Sequence, residues 1–309
     1  LQWGLDHRIH GATSSSGAMV RKPHEPEAAA LSLRGRDFSF DPHTLEIRAE
    51  TGGGQHGLTF DRWGRKYICH NSDHLQMVVI DDRYLARNPY YALDRATESI
   101  ATDGPQAEVY RQSPVEAWRT IRTRLRVAGQ VPGPIEGGGR AAGYFTSATG
   151  VTIYDGDAWL DDDRAEIQAI VGDVGSNIIN RKRVVPNGVS CRGSRIRQRS
   201  EFIASTDIWF RPVQFCNGPD GALYVADFYR EVIEHPNSLP PVIKKHLDLT
   251  SGRDRGRIYR IVPSGFQTPV RPLPGDATPG ELAAMLAHEN GWHPRRTGLL
   301  LFRRQPQPK

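Results

Sequence analysis

The stretch from Asp207 to Pro236 constrains this chain more than any other. It reads as two short strands around a tight turn. Val213-Gln214-Phe215 alternates, Asn217-Gly218-Pro219-Asp220-Gly221 is dense turn chemistry, and Leu223-Tyr224-Val225-Ala226 alternates again. Asp220-Gly221 supplies the positive φ that a hairpin turn needs. Past the second strand comes a polar cluster of Asp227, Tyr229, Arg230, Glu231, Glu234 and His235. A buried hairpin that delivers a charged loop at one fixed end is the working unit of a β-propeller blade.

The same unit recurs. Leu1 to Ala12 runs apolar, Asp6, then apolar strand, and Gly57 to Asn71 repeats the form with Asp61 and Gly64 in the turn. Gly150 to Asp157, followed by Ile167 to Asp173, is a looser copy with a longer excursion. Spacing between copies is irregular, yet three or four copies with long inserts favour a propeller over a sandwich. The expectation is an all-β fold: an incomplete β-propeller of about four blades over residues 1–263, with a short α-helical segment at the C-terminal end.

Composition narrows the function classes. A chain of 309 residues with 31 Gly and 22 Pro suits many short strands and turns in one all-β domain. The net charge of +5 comes almost wholly from Arg, since the six lysines are Lys22, Lys66, Lys182, Lys244, Lys245 and Lys309. Acidic residues nearly match the basic ones, and no unopposed basic cluster is longer than Arg122 to Arg126, which argues against nucleic acid as a partner. Cys69, Cys191 and Cys216 lie far apart and form no Cys-x-x-Cys pair, so zinc and haem-attachment spacings are absent. No apolar run approaches membrane-spanning length. The chain opens at Leu1, inside an expected blade strand and without an initiator Met, and is read as a piece of a longer protein.

Between the hairpins the punctuation is plain. Residues 13–32 read as a loop, Gly35 to Pro42 as a strand with Phe38 and Phe40 on one face, and residues 81–112 as a surface excursion. Ser113-Pro114-Val115-Glu116 has the form of a capping box, while Thr123, Leu125 and Val127 alternate with Arg122, Arg124 and Arg126; a short helix followed by a strand is expected there. Pro132 to Gly143 is a glycine-rich loop without the following Lys-Ser/Thr of a phosphate-binding loop. Residues 237–256 form a polar connection, and Gly256 to Val262 is a strong strand. A Pro-rich linker covers 264–275. Thr278-Pro279-Gly280-Glu281 then starts a helix, with Leu282, Met285 and Leu286 at helical spacing, so residues 276–309 read as the first helices of an α-solenoid.

Seven segments together carry a family resemblance: Gly57 to Gly64, Asn71 to His74, Gly138 to Thr146, Trp209 to Val213, Gly218 to Asp227, Tyr229 to Pro236 and Ser251 to Arg260. In these the chain closely resembles the planctomycete-type membrane-bound dehydrogenases. The resemblance covers essentially the whole chain and is most specific at 209–260. It implies a six-bladed propeller similar to soluble quinoprotein glucose and sorbosone dehydrogenases, followed by HEAT-like helical repeats. It further implies a periplasmic or membrane-associated, extracytoplasmic setting, and a downstream cytochrome c domain carrying c-type haem. Both the early blades and the haem domain lie outside this sequence.

Propeller loops converge at one mouth of the central channel, so residues entering an inner strand, or leaving the strand after it, face a ligand there. A quinoprotein-type oxidation of a sugar or alcohol needs a base for the substrate hydroxyl, cations for the carboxylates of the quinone (PQQ), and oxygen ligands for Ca²⁺. His56 or His74 is the candidate base. Gln55, Asn71, Arg211 and Arg230 are candidate cofactor contacts, and Asp73, Asp173 and Asp227 candidate calcium ligands. Blander readings stand beside these: a loop histidine at 56, a strand-end cap at Asp73-His74, and a structural ion pair between Asp227 and Arg230. Trp118, Trp159 and Trp209 are most simply core residues. At the level of function, a non-catalytic propeller binding glycans or protein partners stays open beside the oxidoreductase, with a Ca²⁺-dependent lactonase third.

Overall fold

The computed structural model of the chain describes residues 1–88, 90–159, 167–271 and 274–304. Four antiparallel sheets follow one another along the sequence. The first holds β1 (Gln2–Trp3), β2 (Ile9–Ala12), β5 (Asp37–Phe40) and β6 (Ile47–Glu50), with β3 (Met19–Val20) and β4 (Leu31–Ser32) paired as a small ribbon inside its long loop. The second runs β7 (Leu58–Phe60), β8 (Lys66–His70), β9 (Asp73–Val78) and β10 (Thr97–Ser99). In the third, β11 (Ala148–Tyr154), β12 (Ile167–Asp173), β13 (Ile178–Asn187) and β14 (Ser190–Arg195) lie side by side, and β15 (Ile203–Ala204) adds to β13. The fourth is β16 (Pro212–Asn217), β17 (Leu223–Asp227) and β18 (Arg257–Ile261).

The third sheet shows why these are propeller blades. Its strands alternate between two buried faces. Val151, Ile153, Ala169, Val171 and Ile178 pack with Tyr67, Cys69, Leu75 and Met77 of the second sheet. Tyr154, Ile170 and Ile179 pack with Phe215, Leu223 and Val225 of the fourth. A period of two with both faces apolar is what a blade between two other blades requires.

The innermost strands approach closely at their entries. Gly150 Nα donates to the His56 carbonyl at 2.9 Å, and the Thr149 hydroxyl donates to His56 O at 3.2 Å and Val213 O at 3.1 Å. A Cβ at Gly57 would sit 2.9 Å from the Val151 nitrogen, and one at Gly150, where φ is +66°, 2.8 Å from the Val213 oxygen. Only glycine allows three blades to meet this tightly.

The excursions hold more structure than their turn signals imply. Residues 13–32 contain the β3–β4 ribbon, and 81–112 contain α1 (Asp82–Leu85) and the fourth strand of the second sheet. The expected helix-then-strand at 113–127 is a single helix, α2 (Ala117–Val127), with Glu116 at its N-cap. α3 (Pro241–Lys244) lies within the connection between β17 and β18, and packs Ile243 with Val232 and Leu239 against Trp118 of α2. After the Pro-rich stretch come α4 (Pro279–Met285) and α5 (Trp292–Arg304). α4 begins with the capping box its sequence announces: Thr278 Oγ1 accepts from the Glu281 amide, and the Glu281 carboxylate accepts from the Thr278 amide.

Candidate functional site

A cavity of about 850 Å³ opens where the inner strands β7, β11 and β16 begin. Gln55, His56 and Asn71 form one wall, Thr146, Ser147 and Thr149 the floor, and Arg230, Glu234 and Arg253 the wall opposite, with Arg122 and Arg126 of α2 reaching in from the side. The Gln55 side chain accepts a hydrogen bond from the Asn71 amide at 3.0 Å, which joins the two loops of one blade. His56 is exposed to this space, and partial desolvation holds its pKa below the ordinary histidine value. At neutral pH it is therefore an uncharged imidazole able to accept a proton.

The remaining candidates lie behind the wall. His74 is fully buried, with its ring stacked on Phe145 at 4.0 Å and Nδ1 bonded to the Pro105 carbonyl at 2.8 Å. Burial and the nearby Lys182 push its pKa down to about 3. It is a packed, neutral side chain outside the cavity, so it does not act as base there. Arg211 is also fully buried, and its guanidinium makes five hydrogen bonds: to Glu116 twice, and to the carbonyls of Val174, Arg230 and Glu231. That uses every donor an arginine has, leaving none for a ligand.

The three aspartates meet backbone amides or a serine hydroxyl rather than each other. Asp173 accepts from the amides of Thr146, Ser147 and Ser176, pinning the floor of the cavity in place. Asp227 accepts from the amides of Arg211 and Tyr229. Asp73 accepts from the Ser99 hydroxyl at 3.0 Å. Burial raises the pKa of all three carboxyls, outweighing the hydrogen bonds and arginines that favour the ionised form. Among the described residues no three His, Cys, Asp or Glu side chains gather as a metal-holding group. These positions do not fit a shared Ca²⁺ site.

Reading by strand ends also missed the arginines. Arg119, Arg122 and Arg126 share one face of α2, spaced three and four residues apart, and Arg122 and Arg126 line the cavity. The available signal was the Arg-rich run itself, taken with the wrong period. Glu116 anchors the cluster from the helix start: Arg211 and Arg119 lie at 3.1 and 3.4 Å from its oxygens. Although burial raises the Glu116 pKa, Arg119 and Arg211 hold it below the usual glutamate value.

The fold and this mouth define a propeller with a small-molecule-sized cavity at its inner-strand entries. The sequence profile of the Domain of unknown function (DUF7133) matches residues 1–265, and the chain belongs to that family. No curated protein matches the chain. A solved structure described as a glucose dehydrogenase aligns with 64% of this chain and 70% of its own, at 15% identity and a TM-score of 0.27. A score that low leaves the functional argument to rest on the site itself.

Proposed function

We propose that the mouth binds a hydroxyl-bearing small molecule and that the protein is a sugar or alcohol oxidoreductase of the quinoprotein-like kind, related to the planctomycete-type membrane-bound dehydrogenases. The observation that carries the reading is His56, a neutral imidazole exposed in an 850 Å³ cavity beside two amide side chains and a rim of guanidinium groups. His56 takes the proton of the substrate hydroxyl. Gln55 and Asn71 orient that hydroxyl, and Arg230 and Arg253 offer forked donors to planar carboxylates. Those donors fit a carboxylate-bearing quinone such as PQQ, which when bound would accept the hydride, two electrons with the proton of the C–H bond, from the carbinol carbon. No step is assigned to Ca²⁺, since Asp73, Asp173 and Asp227 do not meet. With this reading go an extracytoplasmic location and a haem domain as the next electron acceptor.

The test is dye reduction by the purified protein supplied with quinone and a panel of sugars and alcohols, alongside the His56→Gln variant. Quinone-dependent turnover that falls at least a hundredfold in the variant, with ligand binding kept, is the expected result (general-base contributions run to roughly 10²–10⁴). Binding of a glycan or protein at the mouth with no turnover under any condition would instead make this a non-catalytic recognition propeller.

A further inference from the structure

We propose that the arginine face of α2 is an oxyanion subsite, so that the molecule taken up at the mouth carries a carboxylate or phosphate group as well as its hydroxyls. The inference rests on the mouth being the ligand site. A narrow cleft of about 10 Å³ is lined by Arg119, Arg122, Arg126 and Arg140, with Tyr144 and Thr146. It runs into the large cavity, because Arg122, Arg126, Glu136 and Thr146 line both. A space of that size holds about one water molecule, so an anionic group would place a single oxygen in it and a sugar ring would not enter. The ring would stay in the wider cavity, towards His56.

Charge in the cleft is unbalanced. Four guanidinium groups line it, and three carboxylates stand beside them, Glu116, Glu136 and Glu234. Glu234 lies 3.0 Å from Arg122 and 3.7 Å from Arg119. Even so, Nε and Nη2 of Arg119, Nε of Arg122 and Nε of Arg126 are buried with no hydrogen-bond acceptor. Arg119 and Arg122 are only 2% and 6% exposed, so water does not freely supply the missing partners. Glu116 and Glu234 compensate the charges of Arg119 and Arg122, so the donor left for a bound oxyanion is Nε of Arg126, and a buried charged donor without an acceptor is costly. Crowding points the same way: burial and the neighbouring Arg122 both lower the Arg126 pKa. Forked guanidinium donors pair with carboxylate and phosphate alike.

Calorimetric titration of the purified chain with glucose, glucuronate and glucose 6-phosphate tests this. At least one anionic sugar should bind about tenfold or more tightly than glucose, as charge-assisted hydrogen bonds allow. The advantage should shrink in 0.5 M NaCl. Arg126→Gln should remove most of it and lower the affinity for glucose far less, and Arg140→Gln, at an exposed position, should reduce it if the first variant fails to fold. Preference for glucuronate identifies a carboxylate ligand, and preference for glucose 6-phosphate a phosphate ligand. Equal affinity for all three sugars, no binding of any, or an anionic preference untouched by both variants overturns the subsite. Arginine-dependent binding without oxidation of any ligand would keep the subsite and remove the oxidoreductase reading. Oxidation of neutral sugars with no anionic preference would do the reverse.

Discussion

His56 and His74 carry the same side chain in two environments, and each gives a separate pH prediction. In the proposed oxidation His56 acts as the free base, and desolvation lowers its pKa. The rate of turnover, measured as kcat/KM, should therefore rise with pH and level off below the pH expected for a free histidine. A profile with its midpoint above 6.5 would show that another group is the base. His74 bears on stability instead. Its folded pKa is about 3, against an ordinary value of 6.5. Above pH 6.5 both folded and unfolded states hold it neutral, and its contribution is fully present. As pH falls, the unfolded chain gains a proton that the folded one refuses, and the contribution is lost progressively until about pH 3. In His74→Gln the decline in unfolding free energy between pH 6.5 and 4 should be shallower than in the parent, by urea titration at each pH. This contrast was only half legible in the sequence. Gln55, His56 and Asn71 reach the mouth as their strand-end positions imply. His74 does not, because one step along a strand turns a side chain to the other face, and the sequence did not show which residue of Asn71 to His74 began β9.

At the scale of elements, α2 decides the chemistry of the site, and it was the element least legible beforehand. Thr123, Leu125 and Val127 alternate, but so short a run also fits a helix, and the buried arginines disguise the inward face. Arg119 and Arg122 are buried where a hydropathy pattern would place them in water, because Glu116 and Glu234 meet them there. Glu116 is the keystone of this arrangement. Its carboxylate contacts Arg111, Arg119 and Arg211 and is 4% exposed. Replacing Glu116 by Gln would leave Arg211 fully buried without its charged partner. Removing one member of a buried ion pair costs about 3–5 kcal/mol. The denaturation midpoint should fall accordingly with little change in slope, and His56-dependent turnover should fall with it as α2 loosens. A loss under 1 kcal/mol would mean that the hydrogen bonds of Arg211 to carbonyls suffice on their own.

For the whole molecule, the sheet order follows from repeated hairpins, and the four sheets lie where alternating runs place them. The use made of the last two helices had no sequence signal beyond the capping box at Thr278, since docking depends on backbone carbonyls that any sequence carries. α5 and the turn before it lie across the hairpin ends opposite the ligand mouth. Asn290 donates to the carbonyls of Gly218 and Pro219 at 3.0 and 3.2 Å. Arg295 donates to the Phe60 carbonyl at 2.8 Å and pairs with Asp155 at the same distance, and Phe302 stacks on His7 at 3.8 Å. These contacts tie the first, second, third and fourth sheets to one helix. Beneath α5 lies a cavity of about 270 Å³, whose walls include Phe60, Phe215 and Trp292. Deleting residues from Asp276 onward should therefore lower the melting temperature and expose apolar surface, with self-association visible by size-exclusion chromatography and light scattering. The milder Arg295→Ala leaves the helix but takes from Asp155 its charged partner, leaving the hydrogen bond from Asn217; this carboxyl is 6% exposed and burial already raises its pKa. It should cost about 2 kcal/mol at neutral pH. That cost should diminish as the solution is acidified and Asp155 takes up a proton, because a neutral carboxyl no longer needs the guanidinium. Urea titrations of parent and variant at pH 7 and pH 4.5 measure the difference, and an equal gap at both would show that Arg295 acts through the Phe60 carbonyl and packing rather than through Asp155.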